Sequence, residues 1–302
     1  MNFADWARLL LLSAVWGASF IFMRVLAPVL GPVATADLRV AVGGGALLLY
    51  FLLIRFKPLW RKNWRHYAVI GIFNVGLPFL LFSFAAVHIS ASYSAIINAT
   101  TPLFGAVFAA IWLRERFTRN KAIGLVLGFA GVATITGASL SLTTSSNFIT
   151  SILACLLAAA SYAGAGVYIK RFASHVSPVG SAGCAQMFAA IALLPIWLVA
   201  PPSGLIDTTI ALNILGIGLL SSGLGFLLYF RLVRDIGPAR AMMVAFLTPL
   251  FGIIWGTVFL GEKMTPPAIL GGGMIVLSTL LILRGKEPRE VRGRTAHKGH
   301  PL

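Results

Sequence analysis

Ser94, Asn98, Thr101 and Gly105 follow one another at spacings of four, three and four within an apolar run, so a helix would carry them on one face. Hydroxyls and an amide of this kind do no acid–base work; they donate and accept hydrogen bonds. The stripe reads either as a seam along which helices approach closely or as the polar wall of a cavity, and Asn98, an amide with several hydrogen-bonding positions to satisfy, favours the wall. Asn74 and Ser222 are likewise polar within apolar runs. Aromatic residues accompany them: Phe79 and Phe82 after Asn74, Phe226 and Tyr229 after Ser222, then Met243 and Phe246, with Trp16 and Tyr162 similarly placed. Such rings face lipid or pack between helices; lining a cavity, they would hold apolar or aromatic solutes by stacking and cations over the ring face.

Catalytic constellations are missing from the sequence. It contains no His-Glu-x-x-His pair, no phosphate-binding loop and no Asp pair placed to face inward. Cys155 and Cys184 each lie in an apolar run and read as small buried hydrophobes, so no disulfide, metal site or cofactor is expected. His297-Lys298-Gly299-His300 reads as a solvated end rather than a metal tract. The charged residues near apolar runs are Arg24, Asp37 and Arg39, expected at an outer gate, where each arginine either snorkels to headgroups or pairs with Asp37, or anchors a solute carboxylate. Glu115 and Glu262 fall at the ends of runs, each followed by a helix-capping threonine, Thr118 and Thr265.

The elements that would position these residues follow from composition. Of 302 residues, 58% are hydrophobic and only 11% are charged, against roughly a quarter charged in a soluble domain. A mean hydropathy of +0.91 and the absence of alternating barrel segments predict an all-α integral membrane protein, because helices satisfy every backbone group internally. Ten spans are expected, near 7–27, 34–54, 67–87, 91–113, 122–141, 149–169, 179–200, 210–230, 240–260 and 267–283. With the N-terminus inside, all Lys and Arg except Arg24, Arg39 and Lys263 fall at the same face, which places both termini in the cytoplasm. The net charge of +16 is then an orientation and anionic-lipid signal rather than a nucleic-acid surface. Met1 to Trp6 lacks a cationic leader region and a cleavage site, so the first span is expected to be retained.

The chain repeats itself at an offset of 147 positions. Thr101-Pro102-Leu103-Phe104-Gly105 returns as Thr248-Pro249-Leu250-Phe251-Gly252, and Leu113, Glu115, Thr118 and Gly124 return as Leu260, Glu262, Thr265 and Gly271. Each copy holds five spans, an odd number, so the second is inverted: residues 1–141 and 142–285 form two opposed repeats, with a basic cytoplasmic tail over 286–302. Pro102 and Pro249 are predicted to kink their spans as a pair of hinges beside a shared pathway.

Trp16-Gly17, Arg39, Pro102, Leu113-x-Glu115-x-x-Thr118, Gly124 and the copies Pro249, Leu260-Gly261-Glu262 and Gly271 resemble the EamA-type members of the drug/metabolite transporter superfamily. The resemblance runs over residues 7 to 285, with Arg114 standing where the family more often has glycine. It implies ten helices and export of small metabolites, amino acids above all, by alternating access through a cavity between the repeats. A channel or a drug or cation efflux carrier is the alternative. The expected partners are a small solute and the lipid bilayer of a bacterial inner membrane, with a monomer sufficient for function.

Overall fold

The computed structural model describes residues 2–140, 146–199, 201 and 204–284. The expected tail 286–302 and part of the expected connections 142–148 and 201–209 lie outside the described residues. Among the described residues every regular element is helical. In chain order these are α1 (Phe3–Leu30), α2 (Pro32–Leu53), α3 (Trp60–His88), α4 (Ala91–Trp112), α5 (Arg119–Leu140), α6 (Ser146–Phe172), α7 (Pro178–Val199), α8 (Thr208–Ile236), α9 (Val244–Leu260) and α10 (Pro266–Arg284). A single turn, Pro238–Ala241, precedes α9. Seven of them, α1 to α4 and α6 to α8, are long and apolar enough to cross a membrane, and α9 and α10 are shorter apolar helices.

Local chemistry sets the ends. A capping box starts α1 earlier than its apolar run implies: Asp5 N–H donates to the Asn2 side chain at 2.8 Å, and Asn2 N–H donates to the Asp5 carboxylate at 3.0 Å. Gly31, at φ +80°, turns α1 into α2, where Pro32 takes the first helical position. At the end of α9, Gly261 adopts φ +64°, and the equivalent position after α4, Arg114, adopts φ +54°. In both places the Glu N–H reaches back six residues, Glu115 to Ala109 at 3.2 Å and Glu262 to Gly256 at 3.1 Å. The same left-handed cap thus closes both helices, although only one copy has the glycine that adopts it without strain.

Two helices carry wide turns at matching depths. Ile72–Gly76 of α3 and Gly216–Leu224 of α8 are π-helical, and the 147-residue offset places the first within the second. In α3 this turn lies just before Pro78, whose missing N–H would otherwise leave the Asn74 carbonyl without its helical partner. Packing follows a regular scheme. Helix α1 lies on α9 as α6 lies on α4; α3 lies on α6 as α8 lies on α1; α2 lies on α8 as α7 lies on α3; α2 meets α7, and α5 meets α10. Shifting every helix number by five turns this scheme into itself.

The two prolines expected as hinges sit differently in their helices. Helix α4 breaks at Ala99 and Thr100 into Ala91–Asn98 and Thr101–Trp112, and Pro102 occupies the first turn of the second piece. Proline fits there because a first-turn N–H has no intrahelical partner. The Asn98 carbonyl, which Pro102 cannot reach, accepts from Thr101 Oγ1 at 2.7 Å. Pro249 instead lies inside the continuous α9.

Candidate functional site

A cavity of about 350 Å³ lies where the two halves of the chain meet. Helix α1 contributes Trp16, Ser19, Phe20 and Met23, a face spaced by three, one and three, and α2 contributes Arg39. Asn74, Phe79 and Phe82 come from α3, and Asn98 and Thr101 from the break in α4. The second half supplies Tyr162 of α6, Phe226 and Tyr229 of α8, and Ala241, Met242, Val244, Ala245 and Thr248 at and before α9.

Its rings form two clusters, each joining the halves. Trp16 meets Phe226 edge-on with centroids 6.0 Å apart and lies 5.5 Å from Tyr229. Phe82 meets Phe20 at 5.5 Å and stacks on Tyr162 at 6.3 Å, while Phe79 lies 6.5 Å from Tyr162. Phe79 and Phe82 correspond by the offset to Phe226 and Tyr229, so equivalent positions of the two halves line one chamber. Thr101 and Thr248 are a third such pair, each bonding back into its own helix, to the Asn98 carbonyl at 2.7 Å and the Val244 carbonyl at 2.8 Å.

Arg39 is the charged residue of this wall, and it is only 5% exposed. Its Nε donates to Ser222 Oγ at 3.0 Å, its guanidinium carbon sits 3.6 Å above the Phe79 ring, and Nη1 lies 3.7 Å from Met23 Sδ. Gly43, one turn further along α2, makes this possible: a Cβ there would overlap Ser222 and lie 3.0 Å from the Gly218 carbonyl. The wide turn of α8 therefore comes close enough for Ser222 to meet Arg39. Isolated buried charge costs several kcal/mol, which the ring face and hydroxyl offset only in part.

Several expected wall residues lie elsewhere. Ser94 is 2% exposed and packs on α6, 3.9 Å from Cys155 Sγ, one turn before Asn98 on the same short helical piece. Ser222 is fully buried and holds Arg39 from behind. Met243 packs with Leu9, Leu12 and Trp16, and its neighbour Met242 lines the chamber instead. Phe246 is partly buried away from the wall, which Ala245 and Thr248 occupy. Pro102 and Pro249 stand beside lining residues without lining the chamber themselves. The outer-gate trio is dispersed: Arg24 donates to the Ala86 and Val87 carbonyls at 2.6 and 2.9 Å, at the end of α3. Asp37 is 2% exposed with Oδ1 unpartnered, and Arg39 belongs to the chamber. Thr248 was legible as the repeat of Thr101, and Ser19, Phe20 and Met23 as the face of Trp16.

Clasps between the halves lie at both ends. The Glu262 carboxylate accepts from Ala91 N–H at 2.7 Å, Ser92 N–H at 3.0 Å and Ser92 Oγ at 2.6 Å, capping the start of α4. Tyr93 and Thr265 add a hydroxyl contact at 3.2 Å. Glu115 is the counterpart of Glu262, but the positions equivalent to Ala91 and Ser92 are Pro238, which has no N–H, and Ala239, which has no hydroxyl. Glu115 instead accepts from Lys170 Nζ at 2.9 Å and Lys121 Nζ at 3.3 Å. The Lys170 hydrogen bond, more than burial opposes it, holds the Glu115 carboxyl below its ordinary range. Arg8 bonds Asp235 at 2.9 Å near the same end.

The model of the EamA-like transporter family matches residues 6–137 and again 149–284. An uncharacterized inner membrane transporter of Escherichia coli (strain K12), YedA, is 28% identical over 285 residues, covering 90% of this chain and 88% of that protein. A probable terminal-alkyne amino-acid exporter of Streptantibioticus cattleyicolor is 26% identical over 286 residues, covering 93% of each. One solved crystal structure shares the fold with a TM-score of 0.64 at 16% identity, over 93% of this chain and 96% of the other.

Proposed function

The chain belongs to the EamA-like transporter family and is an integral, multi-pass membrane protein, and from that premise we propose that it exports small metabolites, amino acids with aromatic or apolar side chains among them. The observation that carries this reading is the chamber between the halves, lined by Phe79 and Phe82 of one half and by Phe226 and Tyr229 of the other. Rings lining the chamber suit a flat or apolar side chain, and the name of the Streptantibioticus relative agrees with an amino-acid cargo.

The proposed mechanism is alternating access by ten crossings. Residues 1–141 and 142–285 act as two inverted five-helix repeats, with both termini cytoplasmic and 286–302 as a basic tail. The helix-packing scheme that survives a shift by five and the paired π-helical turns support this reading. The distribution of basic residues and the named localisation of YedA support a bacterial inner membrane. On this orientation the chamber runs from Arg39 toward Met242, which is 42% exposed at the cytoplasmic end. The Glu262 clasp then closes the outer end, and the conformation is inward-open.

Purified protein in liposomes preloaded with L-phenylalanine or L-leucine should take up the labelled amino acid by saturable counterflow, and as a monomer. Ohmic current without saturation would favour a channel, and exchange of organic cations alone would favour a cation efflux carrier.

A further inference from the structure

The helix-bridging part of Arg39's position is performed elsewhere in the molecule by a neutral side chain. Gln186 of α7 is its counterpart at the 147-residue offset, is fully buried, and also reaches the wide turn of α8, donating to the Ser222 carbonyl at 3.2 Å and to the Ala182 carbonyl at 3.1 Å. An amide thus suffices to tie a helix to Ser222. Arg39 adds what Gln186 lacks, a positive charge on the chamber wall. Among the described residues no Asp or Glu lies within 4.0 Å of that charge, and Nη2 has no acceptor. Asp37, two positions earlier on α2, lies on a different face. A guanidinium keeps its charge at neutral pH and presents a planar fork that matches a carboxylate.

Resting on the transporter reading above, we infer that Arg39 anchors a carboxylate of the cargo, with the aromatic clusters holding its side chain. The cargo class is therefore one that carries a carboxylate, as amino acids do, and amines without an acid group are rejected, since they would leave the buried guanidinium unneutralised and add a like charge.

The test is thermal stability of purified protein with L-phenylalanine, 3-phenylpropionate or phenethylamine, paired with counterflow of the same solutes in liposomes. L-phenylalanine and 3-phenylpropionate should both stabilise, and phenethylamine at least tenfold more weakly than either. Arg39→Gln copies the Gln186 arrangement at Ser222 and should weaken both carboxylates at least tenfold, with Arg39→Lys intermediate. Phenethylamine binding as tightly as L-phenylalanine, an unchanged response in Arg39→Gln, or no response of the wild type to either carboxylate overturns the anchor. Saturable counterflow of phenethylamine by the wild type would overturn it while leaving the transporter reading intact. Absence of counterflow for every solute would sink the transporter reading, while carboxylate-selective stabilisation would still support the anchor.

Discussion

The indole Nε1 of Trp16 donates to the Ser221 carbonyl at 3.1 Å, so the first helix caps a backbone group within the wide turn of α8, 205 residues away in sequence. Gly225 leaves the space for the indole, since a Cβ there would lie 2.6 Å from Nε1. Ser221 Oγ returns a bond to the Val15 carbonyl at 3.1 Å. The irregular turn is thereby tied to the opposite half of the chain.

Trp16→Phe should keep a ring against Tyr229 but leave the Ser221 carbonyl without its donor. A loss of about 1–2 kcal/mol is expected, from the lost bond and the buried carbonyl, read as a lower melting temperature in detergent. Gly225→Ala should produce a similar loss by displacing the indole, and the double variant should lose less than the sum of the two.

Gly43→Ala places a methyl group against Ser222 and 2.7 Å from Gln186 Oε1. Helix α2 must then move away from α8, and Arg39 loses Ser222. A cost of about 1–3 kcal/mol is typical of such overpacking, and amino-acid counterflow should fall at least tenfold in the protein that still folds. Full activity at wild-type stability would mean that the α2–α8 approach does not set the chamber.

Arg114 has the left-handed backbone that Gly261 adopts at the equivalent helix end, and for a residue with a Cβ this costs roughly 1–2 kcal/mol. Arg114→Gly should therefore raise stability by about 0.5–1 kcal/mol once the greater freedom of glycine in the unfolded chain is subtracted. Gly261→Ala should lower it. Melting temperatures of the two variants check both signs.

Glu115 supplies a pH dependence. Its folded-state carboxyl titrates below the ordinary 4.5 because Lys170 and Lys121 bond to it. A carboxylate with a depressed value stabilises fully above the unfolded value and loses that contribution as pH falls through the folded one. The melting-temperature difference between wild type and Glu115→Gln should be constant from pH 7 to 6 and close only below 4.5. A difference that closes near neutrality would assign it to another group.

Glu262→Gln should loosen the opposite clasp, because the neutral amide offers a weaker acceptor to the start of α4. Gly256→Ala should act on the same contact, since its Cβ would fall on the Glu262 carboxylate and lie 2.6 Å from Ser92 Oγ. Both variants should speed alkylation, from the external medium, of a cysteine introduced at Ala91, whose buried side chain takes no part in the clasp. Unchanged labelling in both would remove the clasp as a gate.

What the sequence by itself determined is one-dimensional: long apolar runs that only a lipid surface accommodates, a single offset that pairs Phe79 with Phe226 and Thr101 with Thr248, and basic residues gathered at alternate connections. These survive without coordinates because hydropathy and repetition are properties of the chain. Rotation about each helix axis, and the distance between helices far apart in sequence, were decided by the tertiary structure. Ser94 and Asn98 lie one turn apart on the same short helical piece, yet packing on α6 buries Ser94 while Asn98 reaches the chamber wall. Arg39 entered the chamber because Gly43 and Gly218 let α2 meet α8, contacts about 180 residues apart that no local pattern records. Glu262 and Glu115 diverged for a related reason: a carboxylate takes whatever donors folding brings to it, and the backbone of Ala91 and Ser92 offers N–H groups where Pro238 has none.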